Sequence, residues 1–213
     1  MTVAAGALST QIAAKGSVDA TGKFASDVFV YPSVISGIVG GTGSFGMSLA
    51  RRLVAAGYEV VVGSRDAGRA AEAAAQIGAA GATNRDACQD ADLVVLATKA
   101  EATVATAAEL REAIGARPVL SVAAELTFGP SGVLPTTDAT SVAARVQEVV
   151  EGSVVAGLHS LAARNLGRDA PPDEDVLVCG DDPAAKEIVL ELANSLTSGR
   201  AVDCGPLGSA RAL

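Results

Sequence analysis

The sequence predicts an α/β fold: a doubly wound, mainly parallel sheet of the Rossmann type with helices on both faces. Three observations predict it. From residue 34 onward, short apolar runs alternate with segments of helical period, the order expected when each strand returns through a covering helix. The glycine-rich stretch Gly41-Thr42-Gly43-Ser44-Phe45-Gly46 falls between the first apolar run and the first helical period. With 213 residues and 49% hydrophobic content, the chain can also bury a substantial single core.

The elements follow in order. Residues 35–40 form the first strand, and Met47, Leu49, Ala50 and Leu53 recur on one face of a helix over 44–56. A strand over 59–63 runs into Gly63-Ser64-Arg65. It is followed by a helix over 66–77, a strand over 80–83 and a helix over 84–90. Strands over 92–97 and 118–122 flank a helix over 101–114. A helix over 139–150 precedes strands over 153–158 and 175–179, and a helix over 183–197 leads to a last strand over 200–203. Asp181-Asp182 ahead of Pro183 reads as an N-cap followed by a first-turn proline. Two stretches read as irregular segments bordering a cleft: 123–137, rich in Gly, Pro and Thr, and 162–174, with Pro171-Pro172. Residues 1–33, mostly Ala, Gly, Ser and Thr, read as a partly disordered N-terminal extension. The Rossmann domain is then 34–213, with about 151–213 extending the sheet and bordering a second-substrate cleft.

The glycine motif has a physical role where it stands. Gly41 would allow a tight turn, Gly43 would let a pyrophosphate approach the backbone, and Gly46 would let the helix lie close to the strand. The free N–H groups at the helix start would then meet the phosphate charge. The end of the second strand distinguishes two nucleotides. An NAD site usually carries Asp or Glu there for the ribose 2′-hydroxyl, whereas this chain has Ser64 and Arg65, with Arg69 one helical turn on. A guanidinium fork and a short hydroxyl suit a 2′-phosphate, so NADP is expected over NAD, with Asp66 the one residue arguing the other way.

Composition narrows the remaining classes. A formal net charge of −8 with 16 scattered Lys and Arg residues argues against a nucleic-acid surface. No apolar run reaches the roughly 18 residues of a membrane span, and residues 1–33 lack a signal-peptide pattern, so a cytoplasmic protein is expected. Cys88, Cys179 and Cys204 are widely spaced, and His159 is the only histidine, so no metal-ligand spacing is present. Cys179 and Cys204, at strand ends, read as small buried apolar residues.

Five short sequences in this order carry a resemblance: Gly40-Gly41-Thr42-Gly43 with Gly46, Val61-Val62-Gly63-Ser64-Arg65, Leu158-His159-Ser160, Val178-Cys179-Gly180-Asp181-Asp182, and Asp203-Cys204-Gly205-Pro206-Leu207. Over about 34–213 the chain resembles the NADPH-dependent reductases of coenzyme F420. The resemblance implies a homodimer in which NADP and an 8-deazaflavin lie face to face, a hydride passing between nicotinamide C4 and deazaflavin C5. It implies that Thr42 to Phe45, Ser64, Arg65 and Arg69 hold the adenylate and phosphates. Thr98, Val122 and the His159 loop would border the nicotinamide, and Leu207 would lie against the deazaflavin. Two positions depart from the family pattern. Lys99-Ala100 replaces a Pro-Trp pair, and Glu125 would add negative charge near a site for an anionic deazaflavin.

No Ser/His/Asp set, Cys/His pair or close carboxylate pair suggests itself, and hydride transfer between two cofactors needs none. No catalytic side chain is therefore assigned, and His159 is a candidate for positioning or, equally, a histidine bonded to its neighbouring backbone. Two other readings remain open. One is an NADP-dependent reductase of a small imine or carbonyl compound, of the pyrroline carboxylate reductase type, with His159 or Lys99 as proton donor. The other is a nucleotide-binding regulator without catalysis.

Overall fold

The strands are short and mostly apolar, and in a computed structural model the central ones are buried between two helical layers, as the alternating pattern requires. The structure describes residues 34–129, 132–135 and 138–213. The predicted extension, 1–33, lies outside the described residues. In chain order the elements are β1 (Ile35–Val39), α1 (Ser44–Ala55), β2 (Glu59–Ser64), α2 (Ala67–Ala75), β3 (Ala80–Thr83), α3 (Asn84–Gln89), β4 (Leu93–Leu96) and α4 (Ala100–Ile114). They continue with β5 (Val119–Ser121), β6 (Leu126–Gly129), β7 (Gly132–Pro135), α5 (Val142–Gln147), β8 (Val154–Gly157), α6 (Ala163–Leu166), β9 (Val176–Gly180), α7 (Pro183–Leu196) and β10 (Ala201–Asp203). A 3-10 helix, Leu207–Ala212, comes last.

Among the described residues, eight strands form one sheet in the order β10-β9-β8-β5-β4-β1-β2-β3. β1 pairs in parallel with β2 on one side and β4 on the other, so the connection reverses direction beside β1. In doubly wound sheets, ligands bind at this switch point, outside the carboxyl ends of the strands. Side chains alternate between faces along each strand. On β4, Leu93 and Val95 join the core under α1 and α7, whereas Val94 and Leu96 join the core under α4 and α5. The apolar runs are continuous because both faces are covered.

Three findings depart most from the sequence reading, besides the short helix α6 that falls in the stretch 162–174 read as irregular. The stretch 123–137 contains β6 and β7, which form an antiparallel ladder from Leu126↔Pro135 to Gly129↔Gly132. The predicted helix over 139–150 shortens to α5, its start fixed by Ser141, whose hydroxyl accepts from the Ala144 N–H. The third concerns strand direction. β9 runs antiparallel to β8, and β10 runs parallel to β9, so the last two strands oppose the rest. Their carboxyl ends, with Cys179, Cys204 and Leu207, therefore lie toward the sheet edge opposite that of β1, β4 and β5. α7 begins as the Asp181-Asp182-Pro183 pattern predicts, with the Asp182 carboxylate accepting from the Ala185 N–H at 2.7 Å.

Candidate functional site

Glycine shapes the turn between β1 and α1. The left-handed conformation falls on Gly40 (φ +74°), one residue before the glycine expected to make the turn. Gly41 is needed for close approach instead: a Cβ there would lie 2.9 Å from the Ile38 carbonyl oxygen, and its N–H donates to Ile38 and Gly63. At Gly46 a Cβ would meet the Gly41 Cα at 2.7 Å, which seats α1 against the turn. Gly43 differs, because a Cβ there would meet only the Gly40 oxygen at 3.3 Å, leaving its outer side open. Asn84, which sequence reasoning missed, fixes the turn from below, its side-chain oxygen accepting from the Gly40 N–H at 3.2 Å.

The turn delivers an uncapped helix start. Side chains cap α2, α3, α5 and α7, through Asp66, Thr83, Ser141 and Asp182. α1, like α4 and α6, has no side-chain cap bond; its N-cap is Gly43, and its first turn carries no acidic residue. Its leading N–H groups, including those of Ser44 and Phe45, are thus left for an external acceptor, and the helix dipole favours an anion there.

A cleft of about 660 Å³ opens beside this helix start and brings together Thr42, Gly43, Ser64, Arg65, Arg69 and Thr98. Arg85 and Lys99 add two further cations. Its two carboxylates are Asp66 and Glu109, and Asp66 is committed: its Oδ1 accepts from the Arg69 N–H at 2.8 Å to cap α2. The residue that argued for NAD therefore has a structural occupation. Gly63 cannot carry a side chain either, since a Cβ would lie 2.8 Å from the Ile38 oxygen. Thr98 is held by its hydroxyl, 3.0 Å from that of Thr103. The cleft can accept a phosphorylated nucleotide through backbone N–H groups at one end and guanidinium groups at the other.

A second cavity of about 180 Å³ lies past the carboxyl ends of β5 and β8, bordered by Ala123, Glu125, Ser141, His159, Arg211 and Leu213. His159 follows Leu158, the single described non-glycine residue with positive φ (+67°). That conformation is costly for a branched side chain, and it ends β8 abruptly so that the imidazole turns inward. His159 Nδ1 is buried and forms no well-aligned hydrogen bond. Burial lowers the imidazole pKa from its usual 6.5, partly opposed by the backbone of Ala123. Glu125 is not the free negative charge the sequence suggested. Arg145 pairs with it and, at 2.5 Å, with Asp138.

The other expected site residues fall elsewhere. Val122 is buried just beyond β5 and lines neither cavity. Leu207 is 4% exposed and packs into the core under α5, because β10 carries the chain toward the opposite sheet edge before the 3-10 helix returns Ala210 and Arg211 to the second cavity. Phe45 packs its half-buried ring on the core under α1, so its contribution to the cleft is its backbone. Cys88 and Cys179 are fully buried, and desolvation pushes both thiols up to about 11. Arg52 was also missed. It is 6% exposed and donates to the carbonyls of Leu166, Arg168, Asp169 and Ala170, holding that irregular segment under α1. Its signal in the sequence is a cation beside Leu49 and Leu53 in the buried stripe of the helix.

Residues 36–125, the span that builds the cleft, match the model of the family described as NADP oxidoreductase, coenzyme F420-dependent. An F420-dependent NADP reductase of Methanocaldococcus jannaschii is 36% identical, over 82% of this chain and 85% of that protein. The chain belongs to this family. A crystal structure of a candidate F420-dependent NADP reductase from an Arthrobacter species superposes with a TM-score of 0.71 at 28% identity, covering 84% of this chain and 87% of that one. An imine reductase of Streptomyces aurantiacus shares the fold, with a TM-score of 0.62 at 23% identity, over 84% of this chain and 58% of its own.

Proposed function

We propose that the protein transfers a hydride between NADPH and a deazaflavin, coenzyme F420, as the names of its relatives imply. One observation carries the nucleotide half of the reading: the uncapped start of α1 and the Arg65–Arg69 pair open onto the same cleft, whose nearest carboxylate, Asp66, is occupied as a cap. The residues fit the nucleotide. Backbone N–H groups at Ser44 and Phe45 suit the pyrophosphate, while Ser64, Arg65 and Arg69 suit a 2′-phosphate. The nicotinamide and deazaflavin rings supply the hydride chemistry themselves, and the chain contributes orientation, ring-face selection and exclusion of water. Thr98, Val122 and His159 lie along the strand ends where the nicotinamide would sit. A neutral His159 can donate to a ring carbonyl without taking part in proton transfer.

The deazaflavin would occupy the second cavity, with residues from about 151 onward completing it. Leu207 would act there as support, its buried side chain anchoring the start of the 3-10 helix. We further infer a cytoplasmic homodimer; among the described residues no helix is long and apolar enough to cross a membrane. The imine or carbonyl reductase reading has less support, because the likeness to an imine reductase, at 23% identity, extends to the fold alone.

The test is a titration with NADPH and then NADH, followed on the same sample by oxidised coenzyme F420 while its visible absorbance is recorded. Bleaching with NADPH and not with NADH is the expected result. Tight NADPH binding without bleaching would refute the deazaflavin as acceptor.

A further inference from the structure

We propose that Arg145 is a positioning residue for the second substrate: it clamps the open end of the β6–β7 ladder, where β6 begins and β7 ends, and offsets the charge of Glu125 at the edge of the second cavity. This rests on the deazaflavin reading above. The guanidinium is mounted on α5, a short helix fixed by its Ser141 cap and by Val142, Ala143 and Val146, which are buried in the core. From there it reaches Glu125, one residue before β6, and Asp138, three residues after β7, both beyond the end of the ladder where Leu126 pairs with Pro135.

Among the described residues β6 and β7 pair only with each other. A lone two-stranded ladder is marginal in water, so its position has to come from the open end where it joins the rest of the chain. Arg145 supplies that anchor with two charge-assisted contacts from one planar group, a geometry that an ammonium would not reproduce. The site is also sheltered. The side chains of Arg145 and Glu125 are 29% and 18% exposed, so the pair is screened less than a surface ion pair. Glu125 borders the cavity together with His159 and Arg211, whereas Arg145 stands behind Glu125 and not in the cavity wall. Without Arg145, the cavity would face an anionic substrate with an uncompensated carboxylate, and like charges across a binding surface disfavour association. Arg145 therefore acts through Glu125 and not by touching the substrate.

The test uses Arg145→Gln and the double variant Arg145→Gln/Glu125→Gln, with coenzyme F420 and NADPH as probes. In Arg145→Gln the KM for F420 should rise by about tenfold with the KM for NADPH unchanged. Amide hydrogen exchange should accelerate by at least roughly tenfold at 126–129 and 132–134, and not in α1. Removing Glu125 as well should restore the KM for F420 while leaving exchange fast, which separates the charge effect from the clamp. Should Arg145→Gln fail to fold, Arg145→Lys, which keeps the charge but loses the fork, should show fast exchange with a near-normal KM for F420. Equal rises in both KM values, or exchange and KM values unchanged in Arg145→Gln, would overturn the proposal. If the unmodified protein binds NADPH but does not reduce F420, the deazaflavin reading falls, and the exchange rates alone then decide whether Arg145 is the clamp.

Discussion

Gly43 and Gly46 occupy one motif but face different neighbours, so the same substitution should fail in two different ways. In Gly46→Ala the new methyl carbon would lie 2.7 Å from the Gly41 Cα and 2.9 Å from the Gly40 oxygen, both backbone atoms that cannot rotate away. Ordinary contact begins near 3.4 Å, so α1 must retreat by about 0.7 Å from the turn. Overpacking of this kind costs about 1–3 kcal/mol, which for a chain of this size lowers Tm by roughly 2–12 °C. Gly43→Ala meets only one atom, at 3.3 Å, and the backbone there (φ −74°, ψ 165°) is open to alanine. The entropy gained in the unfolded chain offsets the poorer N-cap, leaving stability within about 0.5 kcal/mol. Its methyl instead points to where a phosphate must approach, and losing one charge-assisted contact weakens binding roughly 10- to 100-fold. Thermal denaturation paired with a titration of NADPH fluorescence reads both quantities. Gly46→Ala should lose stability and nucleotide together, while Gly43→Ala should lose nucleotide alone. Wild-type NADPH affinity in Gly43→Ala would refute the glycine turn as the phosphate site, and a wild-type Tm in Gly46→Ala would refute the contact argument.

Arg65→Ala should weaken NADPH by about 1.5–3 kcal/mol and leave NADH nearly unchanged, as measured by equilibrium titration with each nucleotide; an equal loss for both would remove the 2′-phosphate assignment. His159, the one histidine of the chain, should titrate in a proton NMR experiment with a midpoint below 6.5. The folded protein then keeps this ring neutral where the unfolded chain binds a proton. Its contribution to stability is therefore complete above pH 6.5 and is lost as pH falls from there through the folded midpoint. Denaturant unfolding should show His159→Asn with a shallower fall in stability just below pH 6.5 than the unmodified protein, and parallel pH curves would contradict the buried, neutral assignment.

Much of the cleft was legible because local chemistry fixes it. A strand, a glycine turn and a helix in sequence leave little choice about where backbone N–H groups point, and Ser64-Arg65 at the end of the next strand follows from the parallel register β1–β2. Asp66 was ambiguous for a good reason. A carboxylate two residues past a strand can serve a ribose or cap the next helix, and only its 2.8 Å bond from the Arg69 N–H decides between them. Glu125 borders the second cavity as expected, but its partner Arg145 was missed, because it lies twenty residues on, across a segment whose pairing the sequence does not announce.

The sequence by itself determined the layered α/β architecture, the order of most elements, the glycine turn and the basic end of the second strand. All of these follow from periodicity, turn chemistry and residue type over short spans. The tertiary structure alone decided strand direction at the far edge. An apolar run such as Val176–Gly180 buries the same surface whichever way it points, and here it pairs antiparallel with β8, which sends Leu207 toward the opposite sheet edge and only the end of the 3-10 helix back to the second cavity. It likewise decided the fates of Arg52 and Arg145. A guanidinium can be buried against carbonyls or carboxylates only when distant segments bring those acceptors to it, and such meetings depend on how the whole chain closes on its core.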